Sequence, residues 1–125
     1  ALRDIARPSE VYINNKYISS DLQLKDIDGY KVLPNTLDSN WGGVYINSGI
    51  PNQAFYLAAT SVSNYLWEPA GRIWYAALTD PALKNIDPQS TFKVFANLTI
   101  KHAKSINSTD AQTAVENAWK TVKVL

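Results

Sequence analysis

The chain has 125 residues and is 46% hydrophobic, the size of one ordinary domain with enough apolar material for a real core. Its 12 basic and 11 acidic residues leave a net charge of +1 and no basic run, so neither nucleic acid nor an anionic membrane surface is an expected partner. The absence of cysteine excludes disulfides and thiolate metal sites, and one histidine, His102, leaves any zinc site to be completed by carboxylates, an unusual set.

In chain order, ALRDIARP reads as the end of a helix begun upstream, so the sequence is expected to be a fragment or a processed chain. No basic-then-apolar leader stands at Ala1, and no apolar run approaches the roughly 20 residues of a membrane span. From Pro8 to Asn40 turn signals dominate: Asn14-Asn15, Asp28-Gly29, Pro34-Asn35 and Asp38-Ser39-Asn40. Val11, Tyr12, Ile13, Tyr17 and Ile18 read as a short strand or as an extended arm. A loop stretch of this length in a compact domain is usually functional or docked on a neighbour.

From Gly42 onward the period turns helical. Ile50, Ala54, Leu57, Ala58 and Ser61 make the first stripe, with Pro51 in a first turn, where its missing N–H costs nothing, and Asn47-Ser48 placed to cap it. A second helix runs from about Trp67 to Leu78 on the stripe Ala70, Ile73, Trp74, Ala77 and Leu78, and Asp80-Pro81 ends it. A third, from about Ser90 to Ile106, carries Phe92, Phe95, Ala96, Thr99, Ala103 and Ile106 on one face. A fourth begins at the capping box Thr109-Asp110-Ala111-Gln112 and buries Ala111, Val115, Ala118, Trp119 and Val122. The expected fold is therefore mainly α: one domain over 1–125, with an irregular arm and loops over 1–41 and a bundle of about four to five helices over 42–125.

Residues 38–59 read DSNWGGVYINSGIPNQAFYLAA. This run closely resembles the thermolysin-like neutral zinc metalloproteases, whose matching segment reads DNGGVHxNSGIxNxAxYL. The resemblance extends along the chain: Ala1-Leu2-Arg3 followed by Pro8 is similar to the family's LRS…DP, Trp67 to Tyr75 to its helix with GKIxY, and Thr91 to Trp119 to its last two helices. GIPNQAFYLAAT looks closer to the protealysin-like branch than to thermolysin.

The resemblance implies the helical C-terminal domain of a metalloendopeptidase, forming one wall of a peptide-binding cleft and often secreted. It implies that Arg3 contacts a substrate carbonyl and that Leu2 lines the side-chain pocket beside it. Tyr45 stands where the family has the histidine that donates to the tetrahedral oxyanion. Asn40 stands at the aspartate that orients that histidine, and Trp41 at an asparagine that contacts substrate backbone. The family's zinc, with calcium in some members, belongs to a complete enzyme whose HExxH helix supplies two ligands and the general base. No HExxH occurs in these residues. The chain is accordingly expected to hold no cofactor, to be inactive by itself, and to have a zinc-bearing N-terminal domain as its partner, with a peptide as substrate. The alternative is a non-catalytic homologue that binds a peptide or a protein.

Plainer readings stand beside these. His102 reads as a structural histidine, Trp67, Trp74 and Tyr75 as core rather than a binding platform, and Asp26, Asp28 and Asp38 as solvated loop charge rather than calcium ligands. The sequons at Asn97 and Asn107 read as chance matches. Gly42-Gly43 serves a tight turn or a close ligand approach, and Arg3 is either a substrate contact or a surface charge.

Overall fold

The structure, a computed structural model, describes residues 3–61, 67–106 and 108–125. The expectations for Leu2, for Asn107 and for the Trp67 side chain fall outside the described residues. Among the described residues five helices follow in order: α1 Asn40–Asn47, α2 Gly49–Thr60, α3 Trp67–Thr79, α4 Thr91–Ser105 and α5 Thr109–Thr121. Single 3-10 turns stand at Ile27–Gly29 and Pro81–Leu83. The fold is mainly helical, as the periodicity requires. The chain groups into two compact units, Ala1–Gln53 and Ala54–Leu125, with the division inside α2.

In the second unit the apolar stripes meet over most of their length, whereas Leu78 and Ile106, expected on them, stay exposed at the helix ends. Ala54 and Ala58 of α2, Ala70, Ile73, Trp74 and Ala77 of α3, Phe95, Ala96, Leu98 and Ala103 of α4, and Ala111, Val115, Ala118 and Trp119 of α5 are all buried. The small alanines let the large aromatics meet. Trp74 stacks on Trp119 with centroids 5.8 Å apart and planes 5° from parallel, and Phe95 meets both edge-on at 6.2 and 5.9 Å. Phe55 closes on Trp74 at 5.4 Å. Trp119 is 0% exposed. Burying about 200 Å² of indole at about 25 cal/mol per Å² stabilises by roughly 5 kcal/mol. Its N–H is satisfied by the Thr99 hydroxyl at 2.7 Å, which itself donates to the Ala96 carbonyl.

The helix ends depart from the expected pattern in detail. The cap of α5 is Ser108, not Thr109: Ser108 keeps extended backbone angles and its hydroxyl accepts from the Ala111 N–H, while Thr109 is already helical. Asp80 ends α3 as expected and caps the Pro81–Leu83 turn through the Ala82 N–H. Its other oxygen takes Lys101 at 2.9 Å and His102 at 3.0 Å. His102 is thus a half-buried structural histidine bound to one carboxylate. Those bonds, led by that of the Ala82 N–H and then that of Lys101, hold the Asp80 carboxyl at a pKa of about 2, against the desolvation that raises it. Trp74 is core as expected, but Tyr75 is 71% exposed because it lies one residue off the stripe.

The first unit holds no strand among its described residues. The run from Val11 to Ile18 is instead closed into a tight loop by paired backbone bonds between Asn15 and Ser19. The Asn15 carboxamide oxygen accepts from the Tyr17 and Ile18 N–H groups. Ile13 and Tyr17 stay exposed, having no sheet face to bury against.

Candidate functional site

The site is built on the entry to α1. Asn40, Trp41, Gly42 and Gly43 all have positive φ, at 57°, 51°, 79° and 78°. The helical reading from Gly42 onward is therefore corrected, because these residues form one left-handed turn and the right-handed helix begins only at Val44. The turn is held by bonds from the Trp41, Gly42 and Gly43 N–H groups to the Thr36, Pro34 and Ser39 carbonyls, at 2.8, 3.0 and 3.0 Å. Asn and Gly tolerate this region, whereas a side chain such as that of Trp41 costs about 1–2 kcal/mol there. A Cβ on Gly43 would also lie 3.2 Å from both the Asn47 amide nitrogen and a Leu33 methyl. The paired glycines thus serve the turn itself.

Asn47 and Ser48, expected to cap α2, do other work. Asn47 is buried, accepts from the Lys31 N–H and donates to the Lys31 carbonyl, both at 2.9 Å. Ser48 donates to the Tyr45 carbonyl at 2.9 Å. The Gln23 side-chain amide, 1% exposed, donates to the same Tyr45 carbonyl at 3.0 Å and to the Ser48 hydroxyl at 3.2 Å. Buried amides make such bonds because an unpaired polar group out of water costs more than the bond returns. Their effect here is to tie the loops at 23 and 31 to α1 and to fix the backbone that carries Tyr45.

Arg3 and Tyr45 are brought together: the guanidinium carbon lies 4.4 Å from the Tyr45 ring centroid, a cation–π contact. The turn after Arg3 is fixed by Asp4, whose carboxylate accepts from the Ala6 N–H and pairs with Arg7. The Ala6 bond first, and then the Arg7 pairing, hold the Asp4 carboxyl below its ordinary value against a desolvation that raises it. Asn40 and Trp41 do not join the pair. Among the described residues no hydrogen bond links the Asn40 side chain to Tyr45, and Trp41 is 57% exposed. The site therefore presents a cation and a phenol side by side, suited to meeting carbonyl or carboxylate oxygen.

Three residues of this unit escaped the reading of the sequence. Tyr12, taken as part of an arm, stands near Tyr45 and Arg3. Loss of water raises the Tyr12 pKa first, the neighbouring Tyr45 second, and the Asp21 charge further, against the opposing Arg3 charge. Asp21 and Gln23 are buried polar residues in an otherwise loop-like segment. The alternation from Asp21 to Lys25 would ordinarily turn its polar residues outward, and the structure inverts it, burying Asp21 and Gln23 and exposing Leu22. Among the described residues no three of His, Cys, Asp or Glu converge as metal ligands, and no helix is long and apolar enough to cross a membrane. The described donors do not fit the family's zinc.

A family model described as the thermolysin metallopeptidase alpha-helical domain matches residues 1–124. The chain is 42% identical over 124 residues to an extracellular metalloprotease of Pectobacterium carotovorum subsp. carotovorum, covering 98% of this chain and 33% of that protein. It is 37% identical over 123 residues to protease PrtS of Photorhabdus sp. (strain Az29), covering 98% of this chain and 32% of that one. A solved structure, the precursor of protealysin, a metalloproteinase from Serratia proteamaculans, superposes with a TM-score of 0.80 at 39% identity, over 99% of this chain and 36% of its own. The chain thus spans about a third of the length of these relatives.

Proposed function

This chain belongs to the thermolysin metallopeptidase family, as its α-helical domain, and from that premise we propose that it forms one wall of the peptide-binding cleft of a metalloendopeptidase. The observation that carries the reading is the contact of Arg3 with Tyr45. Two residues far apart in sequence, at the positions of the family's substrate-binding arginine and oxyanion-binding histidine, stand against each other. Arg3 offers a planar fork to a substrate carbonyl, and Tyr45 offers a neutral O–H donor where the family has a ring N–H. The zinc belongs to an N-terminal partner domain, so the chain by itself hydrolyses no peptide. The extracellular naming of a relative supports secretion.

In the protein carrying its zinc-bearing half, Tyr45→Phe keeps the ring under Arg3 and removes only the hydroxyl. Loss of an oxyanion donor lowers kcat by roughly 10²–10³-fold in well-studied cases, which sets the scale expected here. An unchanged kcat would remove Tyr45 from the chemistry. A second reading, a non-catalytic module that binds peptide, is favoured by the lack of any bond from Asn40 to Tyr45, since the orienting contact of the family's aspartate is not reproduced. Under it the wild-type protein binds peptide without turnover, and Arg3→Ala weakens that binding.

A further inference from the structure

Arg3 is exposed, and its contact with the Tyr45 ring is too weak to order two segments far apart in sequence. The hydrogen bonds of the first unit run from one segment to the other. Behind Arg3, the Asp4 carboxylate accepts from the Ala6 N–H, the Asp4 carbonyl from the Arg7 N–H and the Arg7 carbonyl from the Glu10 N–H, so residues 4–10 form a braced turn. Within that turn the Ser9 N–H donates to one oxygen of the Asp21 carboxylate at 2.9 Å. The other oxygen accepts from the Gln23 N–H at 3.1 Å, and the Ser9 hydroxyl donates to the Gln23 carbonyl. The Gln23 side-chain amide donates to the Tyr45 carbonyl at 3.0 Å, and the Leu24 N–H donates to the Ile46 carbonyl at 3.2 Å.

Asp21 is the joint of this path. It is 5% exposed, and a charged group out of water is tolerated only where hydrogen bonds replace its hydration. Its two oxygens accept from two different segments, which a carboxylate does with both atoms and a carboxamide with only one. Beyond the joint, the 23–24 segment is seated directly on the backbone where α1 gives way to α2. A Cβ on Gly49 would strike the Leu24 carbonyl oxygen and lie 2.7 Å from the Leu24 nitrogen.

We propose that Asp21 is a positioning residue for the Arg3–Tyr45 pair: its buried carboxylate ties the turn behind Arg3 to the segment that holds the Tyr45 backbone, and so sets the two side chains together against one peptide. The tie itself is independent of turnover, whereas its consequence for substrate rests on the cleft-wall reading above.

NMR of the protein carrying its zinc-bearing half reads the pair directly. The Tyr45 ring current moves the Arg3 δ-methylene and Nε–H resonances upfield, and Tyr45→Leu returns them to ordinary positions. Asp21→Ala removes the joint and returns them too, while the Lys31 N–H, held by Asn47 in the same unit, keeps its shift. Ser9→Ala, at an exposed position, removes one tie and weakens the upfield shift; it decides the point if a displaced Lys31 signal shows that Asp21→Ala has unfolded the unit. In peptide hydrolysis Asp21→Ala lowers kcat/KM by up to roughly 10²-fold, the scale of a displacement of about 1 Å. In an Arg3→Ala background the same change costs less, because no pair remains to be set. An Arg3 shift unmoved by Asp21→Ala, or by Ser9→Ala where the first variant unfolds, overturns the tie. Equal losses of kcat/KM with and without Arg3 overturn the positioning role and leave Asp21 a residue of the fold alone. If the wild-type protein has no peptidase activity, the Arg3 shift still decides the tie, and the cleft-wall reading fails on its own.

Discussion

Asn47→Asp exchanges one atom of the clamp that holds the Lys31 segment to α1, and its outcome is set by pH. In the native protein the Asn47 side chain, 4% exposed, accepts from the Lys31 N–H and donates to the Lys31 carbonyl. An aspartate keeps the first bond but, when ionised, turns an oxygen toward the carbonyl oxygen 2.9 Å from the atom it replaces. A protonated carboxyl restores the donor, so the variant has an escape: it binds a proton. The folded pKa of the new carboxyl is therefore raised above its unfolded value of about 3.9. Stability relative to the native protein is retained below that value and lost as pH rises toward the folded pKa, at no more than about 1.4 kcal/mol per pH unit. Three pH units separate neutrality from the ordinary carboxyl value, so the loss at pH 7 has a ceiling of about 4 kcal/mol, and at pH 5 of about 1.5 kcal/mol. Urea unfolding of native and variant protein at pH 5 and pH 7 measures both. A variant as stable as the native protein at pH 7, or one equally destabilised at both pH values, refutes the clamp as described.

Thr99→Val keeps the shape of the side chain and strands the Trp119 N–H, which is buried; the expected loss is about 1–3 kcal/mol by thermal or urea unfolding, whereas Thr99→Ser keeps the bond and loses only a methyl, about 1 kcal/mol. Asp80, held at a pKa of about 2 against an ordinary 3.8, contributes stability that is present above about pH 4 and lost as pH falls through about 2. Asp80→Asn is therefore less stable than the native protein at pH 5, and the difference narrows as pH falls toward 2, as denaturant midpoints across that range will show. A gap as wide at pH 2 as at pH 5 would place the Asp80 contribution in packing rather than in its charge.

The helical half was legible in the sequence because its information is local. Stripes such as Ala70, Ile73, Trp74 and Ala77 follow from 3.6 residues per turn, and a helix that buries one face must bury those residues. The contiguous run from Asn40 to Leu57 likewise carried the family in its own order of residues. What the residues alone left undecided depended on partners distant along the chain. Asn47 and Ser48 have the chemistry of helix caps, and only the folded chain set Lys31 and Gln23 against them. Gly42 and Gly43 read as the start of a helix, and only the carbonyls of Pro34 and Ser39 turned that backbone left-handed. Tyr12 carried no motif at all. Its place near Tyr45 and Arg3 was decided by the bonds of Asp21 and Gln23 across the loops, which only the folded chain brings together.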